Sequence, residues 1–327
     1  MPSVPVRDAR PRVHRMPSPD AVARLRCPLC HAGLAADGRA LVCARGHCHD
    51  VARHGYVTLT PPRRRPLRGD PAAMVRARAE FLAAGHYAPI AAAVAAAARR
   101  EAGGTDETGG TAGAGGRDAT GPTSADGAGS GADGAPRCVV DLGAGTGYVL
   151  ARVLDALAEH WTGIAVDASR DALRHAVRAD GRIAGVAADV WDDVPVRDGA
   201  ADLVLSVFAP RNPGEVARVL AADGALVVVT PTPAHLGELR SLGGVLTVEA
   251  GKRERLRERL APALVPTRAA PVEFSLALSR TDARNLVVMG PSGHHVDPAA
   301  LDAELARRAE PIRVTASVVV EEFRRAG

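Results

Sequence analysis

Residues 138–154, CVVDLGAGTGYVLARVL, decide how the chain is read. An apolar run (Cys138, Val139, Val140) ends in Asp141, and glycines follow at alternate positions: Gly143, Gly145 and Gly147. Beyond them Val149, Leu150, Val153 and Leu154 recur at helical spacing. This pattern predicts a buried parallel strand, a tight Gly-rich turn and a helix opening over the strand's C-terminal end. The glycines permit positive φ and let a ligand approach the backbone without meeting a Cβ. A nucleotide-binding α/β domain follows, with the nucleotide still open.

The chain on either side extends this unit. Apolar runs at 162–166, 183–187, 201–208 and 225–230 read as further strands, with a helix at 171–179. Strands alternating with helices give a parallel sheet covered on both faces. The tail differs: runs at 272–278 and 314–323 read as an antiparallel pair, separated by a helix at 281–289. Ahead of the first strand, 101–135 carries no branched aliphatic or aromatic side chain. Such a stretch cannot bury enough surface to offset its ordering entropy, so it reads as a flexible insertion. An apolar stripe from Pro71 (Met74, Val75, Phe81, Leu82) reads as a helix, broken at Gly85-His86-Tyr87-Ala88-Pro89 before a second, Ala-rich helix.

The chain's 327 residues hold one full α/β domain plus a smaller unit. A formal charge of +4 permits an anionic partner without demanding one. Arg7, Arg10, Arg12 and Arg15 lie in a Pro-rich N-terminal stretch, and Arg63, Arg64, Arg65 and Arg68 in a Pro-punctuated connector. Both are candidate phosphate contacts, with a solvated tail and linker as the plain alternatives. No apolar stretch is long enough for a membrane span, and the basic N-terminus lacks the apolar core of a secretory signal. Four of the five cysteines crowd between Cys27 and Cys48. That arrangement points to a metal site in a reducing compartment, and hence to the cytoplasm.

Within that region Cys27 and Cys30 have two residues between them, and Cys43 and His47 three. Two such knuckles can bring four ligands to a tetrahedral Zn²⁺ and leave no open position for water, so the zinc is structural. Cys48 and His49 stand beside His47 and leave the fourth ligand open.

Three kinds of α/β protein use a Gly-rich first turn. The phosphate-binding GxxxxGK[ST] loop does not occur. The spacing DLGAGTG also differs from the dinucleotide fingerprint GxGxxG. It suits S-adenosylmethionine instead, with Asp141 near the ammonium group. Asp167, at the end of the second strand, is placed to grip ribose hydroxyls. Asp189, at the end of the third, is placed for the adenine amino group, with Trp191 offering an apolar surface. A turn residue or helix cap is the plain alternative for each acid. The acceptor site belongs after the fourth strand, at Phe208-Ala209-Pro210-Arg211-Asn212-Pro213. It lacks the [DN]PP[YFW] box for exocyclic amines and the Pro-Cys nucleophile for pyrimidine C5, and Cys138 reads as a core thiol. Direct in-line attack by a ring nitrogen or oxygen remains. A guanine N1 would also have to lose its proton, for which Asp192, Asp193 and Glu215 are candidate bases, and no catalytic residue is assigned.

Together CPLC, CxxxH, DVARHGYVTL, MVRARAEFLAAGHYAP, VVDLGAGTG, VFAPRNP and VTPTPAHLGEL resemble one family, in one order along the chain. It is the bacterial 23S rRNA (guanine-N1)-methyltransferases, and VWDDVPVRDGAADL and VVMGPSGHHVDP look closer to its tylosin-resistance type. The resemblance implies a Rossmann-like class I S-adenosylmethionine methyltransferase fold with antiparallel terminal strands, behind a small N-terminal zinc module that reads rRNA. It implies a homodimer and methylation of N1 of a guanine of the 748 type in the tunnel hairpin, with macrolide resistance as the consequence. Carried over by position, the zinc ligands fall on Cys27, Cys30, Cys43 and His47. Cofactor contacts fall on Tyr87, Gly145, Thr146 and His235, beside Asp141, Gly143, Gly147, Asp167 and Asp189 from the motif reading. Residues alone make Tyr87 a core side chain and His235 a cap. The implied organisation is a basic tail at 1–22, zinc module at 23–62, connector and helices at 63–100, insertion at 101–135 and methyltransferase domain at 136–327. The chain departs from the family in reading His47-Cys48-His49-Asp50 where H-x-F-D is usual, and in the insertion. A small-molecule methyltransferase with a purely structural zinc, and a non-catalytic RNA-binding relic, are the alternatives.

Overall fold

A computed structural model describes residues 15–61, 67, 69–103, 135–240 and 251–326. Most of the expected tail, the connector arginines Arg63, Arg64, Arg65 and Arg68, and nearly all of the insertion lie outside the described residues.

The N-terminal segment opens with a short helix, α1 (Pro19–Ala23), capped by the Ser18 hydroxyl, and a three-stranded antiparallel ribbon follows. Its strands are β1 (Leu34–Asp37), β2 (Ala40–Cys43) and β3 (Cys48–Asp50). The next strand, β4 (Tyr56–Thr58), leaves the ribbon and pairs in parallel with β7 (Ile183–Ala187). Two helices follow, α2 (Ala72–Ala83) and α3 (Ala88–Glu101), broken by Gly85 at φ +81° with Pro89 in the first turn of the second.

The main sheet then builds outward from β5 (Arg137–Leu142), flanked by β6 (Trp161–Asp167) and β8 (Ala201–Val207). Helix α4 (Tyr148–Ala156) follows β5, α5 (Arg170–Ala179) follows β6, and α6 (Pro213–Val219) follows β8. Beyond β8 lies β9 (Leu220–Pro231), and after it α7 (Lys252–Leu260). The terminal strands β10 (Leu264–Leu278) and β11 (Ile312–Arg325) are joined through α8 (Arg280–Val288) and α9 (Pro298–Ala306). Among the described residues the order is β10-β11-β9-β8-β5-β6-β7-β4. β11 runs antiparallel to both neighbours, and the other pairings are parallel. The order reverses between β5 and β8, and ligands of open α/β sheets bind at the C-terminal strand ends of such a switch point.

Both sheet faces are buried, so successive residues of β5 enter opposite cores. Val139 packs with Phe81, Ile90, Val94, Leu150, Leu154 and Leu173, and so with helices α2 to α5. Cys138, Val140 and Leu142 face the other way, toward Val22, Leu25, Leu41, Val194, Val196 and Val219. On that second face the β7–β8 crossover forms no helix. α1 and the ribbon cover the gap, held by backbone bonds from Arg26 N–H to Pro195 O (3.1 Å) and Arg197 N–H to Arg24 O (2.9 Å). The ribbon is thus part of the sheet's own packing. Among the described residues no single helix is long and apolar enough to cross a membrane.

Candidate functional site: a methyl-donor cleft and a metal cluster

The turn after β5 is shaped by three left-handed glycines, Gly143 (φ +80°), Gly145 (φ +54°) and Gly147 (φ +74°). At two of them a Cβ would also collide. It would stand 2.5 Å from the Ala209 Cβ at Gly143, and 2.7 Å from the Ala176 Cα at Gly147. Four of the turn's N–H groups have partners in the turn or on β6. Gly143 N–H and Ala144 N–H reach Val166 O, and Gly147 N–H reaches Ala144 O. Gly145 N–H donates to Asp167 Oδ2 (2.8 Å). These four N–H groups are therefore engaged before any ligand arrives.

Two carboxylates stand over the turn. Asp167, at the end of β6, accepts from Gly145 and, through Oδ1, from Ser169 N–H (2.7 Å). Burial raises its carboxyl more than those donors lower it. Asp141, at the end of β5, is 2 % exposed, and its Oδ1 has no hydrogen-bond partner. Burial, helped by the nearby charge of Asp167, pushes its carboxyl up to about 8. A buried orphan acceptor lacks a donor, and the ammonium of an aminoacyl ligand supplies charge and N–H together. The acids and the bare glycine turn therefore fit S-adenosylmethionine.

Tyr87 precedes α3 and His235 follows β9, and their side chains meet (Oη···Nε2 3.4 Å). His235 Nδ1 accepts from Ser317 N–H (3.1 Å), so the neutral ring carries its proton on Nε2 and donates to the phenol oxygen. Burial lowers His235 to about 4 and raises the Tyr87 phenol, keeping both neutral at pH 7. Phe208 completes the group, stacked on His235 at 5.7 Å and 5.9 Å from Tyr87. Thr146 is buried in the turn. Asp189 Oδ1 accepts from Trp191 N–H (2.9 Å), the turn-residue role, which leaves Oδ2 for a ligand.

The residue reading missed Arg78. Its guanidinium bonds Asp70 (2.6 Å) and Met289 O (2.7 Å), and Nη1 would lie 3.4 Å from a Cβ at Gly145. Only the packing of α2 against α8 brings it there, and no periodicity signals that. Of the candidate bases, Asp193 pairs with Arg26. Glu215 holds Arg218 (2.6 Å) and Val194 N–H (2.7 Å), and its carboxyl is lowered despite burial. Both belong to the contact between ribbon and sheet. Burial pushes the Cys138 thiol up to about 12, an inert core position.

In the ribbon, ligand atoms of Cys27, Cys30, Cys43 and His47 all lie within 4.8 Å of one another. Cys27 Sγ and Cys43 Sγ are 3.5 and 3.4 Å from His47 Nδ1, and Cys30 Sγ is 3.6 Å from Cys43 Sγ. A tetrahedron with Zn–S of about 2.3 Å and Zn–N of about 2.0–2.1 Å has edges of roughly 3.5–3.8 Å. The donor set therefore fits a closed structural zinc. Burial opposes ionisation of the Cys43 thiol, but the N–H groups of Arg45 and His47 together with the thiols of Cys30 and Cys27 bring it down to about 6. His49 Nε2 also lies 3.5 Å from Cys27 Sγ, outside the four-ligand cluster. Cys48 is exposed.

Comparison with known proteins gives the same two parts. The zinc-ribbon family described as "RlmA, N-terminal" matches residues 25–65, and the family described as "Methyltransferase domain" matches residues 139–227. A Streptomyces fradiae protein named "23S rRNA (guanine(748)-N(1))-methyltransferase" is 43% identical over 291 residues, 88% of this chain and 91% of that protein. A Micromonospora griseorubida protein named "Putative 23S rRNA (guanine-N(1)-)-methyltransferase" is 43% identical over 94% of this chain and 99% of its own length. A solved structure described as MccD protein shares 13% identity at a TM-score of 0.40, covering 58% of this chain and 90% of that one.

Proposed function

This chain belongs to the 23S rRNA (guanine-N1)-methyltransferase family, and on that premise we propose that it methylates N1 of a guanine in 23S rRNA, of the 748 type. The observation that carries this is the 43% identity to the Streptomyces fradiae enzyme over nearly the whole of both chains. Asp141, Asp167 and the glycine turn agree with it. We assign the cofactor contacts to Tyr87, Asp141, Gly143, Gly145, Thr146, Gly147, Asp167, Asp189 and His235, and the zinc ligands to Cys27, Cys30, Cys43 and His47. A homodimer, a cytoplasmic location and a role in macrolide resistance belong to the same reading. So do a zinc module at 23–62 and a methyltransferase domain at 136–327, with β4 bridging them.

S-adenosylmethionine, when bound, supplies a methyl group activated by its sulfonium. The chain's part is to hold and orient. Asp141 would neutralise the ammonium, Asp167 would take ribose hydroxyls with the lone pairs its two N–H donors leave free, and Gly143 admits Ala209 against the turn. In the transfer the sulfonium–methyl bond would break as N1–CH3 forms, S-adenosylhomocysteine would leave, and the N1 proton would pass to solvent, so that positioning is what the chain itself supplies. The test is to incubate purified protein with S-adenosylmethionine and the 23S rRNA hairpin that carries guanine 748, then digest and analyse by mass spectrometry. 1-Methylguanosine is expected, and an unmodified hairpin would refute the proposal.

A further inference from the structure

Phe208 is the feature that cofactor binding does not explain. It directly follows β8 at the switch point and has φ +54°, a left-handed backbone that is a true outlier for a bulky side chain. Among the described residues only two other non-glycine residues share it: His31 in the zinc knuckle and Leu236, next to His235. Strain of this kind persists where the surroundings over-determine it, and it gathers at working sites. Here it holds an aromatic ring 42 % exposed, in a chain with only 3% aromatic residues. The ring is braced rather than loose. His235 stacks on it at an interplanar angle of 28°, and Tyr87 backs it at 36°. Ala209, the next residue, is seated against Gly143 of the glycine turn.

A ring braced on one side and open on the other is a stacking platform. Bases of any sequence stack on aromatic side chains. N1 of guanine lies on the Watson–Crick edge, and enzymes that act on a base atom inside a paired stem take the base out of the stack. We infer that the open face of Phe208 receives the extruded target guanine and holds its N1 toward the methyl-donor cleft. This inference rests on the rRNA reading above.

The test uses the full-length protein and the same hairpin, with guanine for turnover and 2-aminopurine at the target position for fluorescence. Phe208→Leu keeps apolar volume without a π-face, and Phe208→Tyr keeps the ring. Phe208→Leu is expected to lower kcat about ten- to hundredfold and to abolish most of the fluorescence rise on binding. Its Kd for S-adenosylmethionine by calorimetry should stay within about threefold of the wild type. Phe208→Tyr should restore turnover and fluorescence. Wild-type turnover and fluorescence in Phe208→Leu would overturn the inference. So would a kcat loss matched by lost cofactor affinity with the fluorescence rise intact, which would make Phe208 a wall of the cofactor site. A wild-type enzyme that forms no 1-methylguanosine would instead overturn the rRNA reading, and this inference with it.

Discussion

Asp141 shows what one residue contributes and what it costs. Its carboxyl is raised in the folded chain from an ordinary value of 3.8 to about 8. The stability tied to the protonated form is therefore fully present below pH 3.8 and is lost as pH rises toward and through 8. Asp141→Asn should melt higher than the wild type in the cofactor-free state, by a margin that widens from pH 5 to pH 8. A margin independent of pH, followed by scanning calorimetry, would contradict this origin. The same shift makes binding a proton-linked event. At pH 7 the free carboxyl is mostly protonated and the ammonium of the ligand favours its ionised form, so binding should release close to one proton. Titration calorimetry in buffers of different ionisation enthalpy reads this number, and it should fall as pH rises through about 8. Legibility was uneven at this scale. Asp141 and Asp167 stand at strand ends that apolar runs announce. Tyr87 and His235 do not, because a buried tyrosine before a helix and a histidine after a strand look alike whatever they face. The bond between their rings depends on α3 and β11 packing across the sheet.

Among the elements, the β5–turn–α4 unit is legible because glycines with positive φ separate two clean periodicities. Gly147 carries two constraints at once, its φ of +74° and the Ala176 backbone 2.7 Å from an added Cβ. Gly147→Ala should therefore destabilise the protein by about 2–3 kcal/mol. Gly38→Ala, with φ +56° and open space around it, should cost only about 1 kcal/mol. Urea unfolding of the two variants separates packing from backbone strain, and equal losses would show that Ala176 yields. Other elements were hidden for physical reasons. β10 begins at Leu264, eight residues before its apolar alternation shows, because Pro266, Arg268 and Pro271 occupy it. Among the described residues it pairs only with β11, and an edge strand tolerates proline. β4 is three residues long, too short for any period, and its place beside β7 comes from tertiary packing.

In the whole molecule, ribbon and sheet share one core, which spacing of ligands alone does not reveal. Leu25, Leu41 and Val57 pack with Val140, Ile164 and Val196, and Arg26 pairs with Asp193 and Asp198 across the contact. Removing zinc with a chelator should unfold the ribbon and lower the melting temperature of the full chain by about 5 °C or more. Methylation of RNA should disappear, while S-adenosylmethionine binding is largely spared because its cleft lies at the C-terminal strand ends. RNA methylation surviving complete metal removal would take the reading of RNA away from this module. The most direct measurement of the central claim is made on the target itself. 23S rRNA from a strain lacking this gene and from the complemented strain is digested to fragments around guanine 748 and weighed by mass spectrometry. One methyl group, mapped to N1 of that guanine, is predicted in the complemented strain and absent from the deletion strain. Identical fragments in the two strains would contradict the assignment.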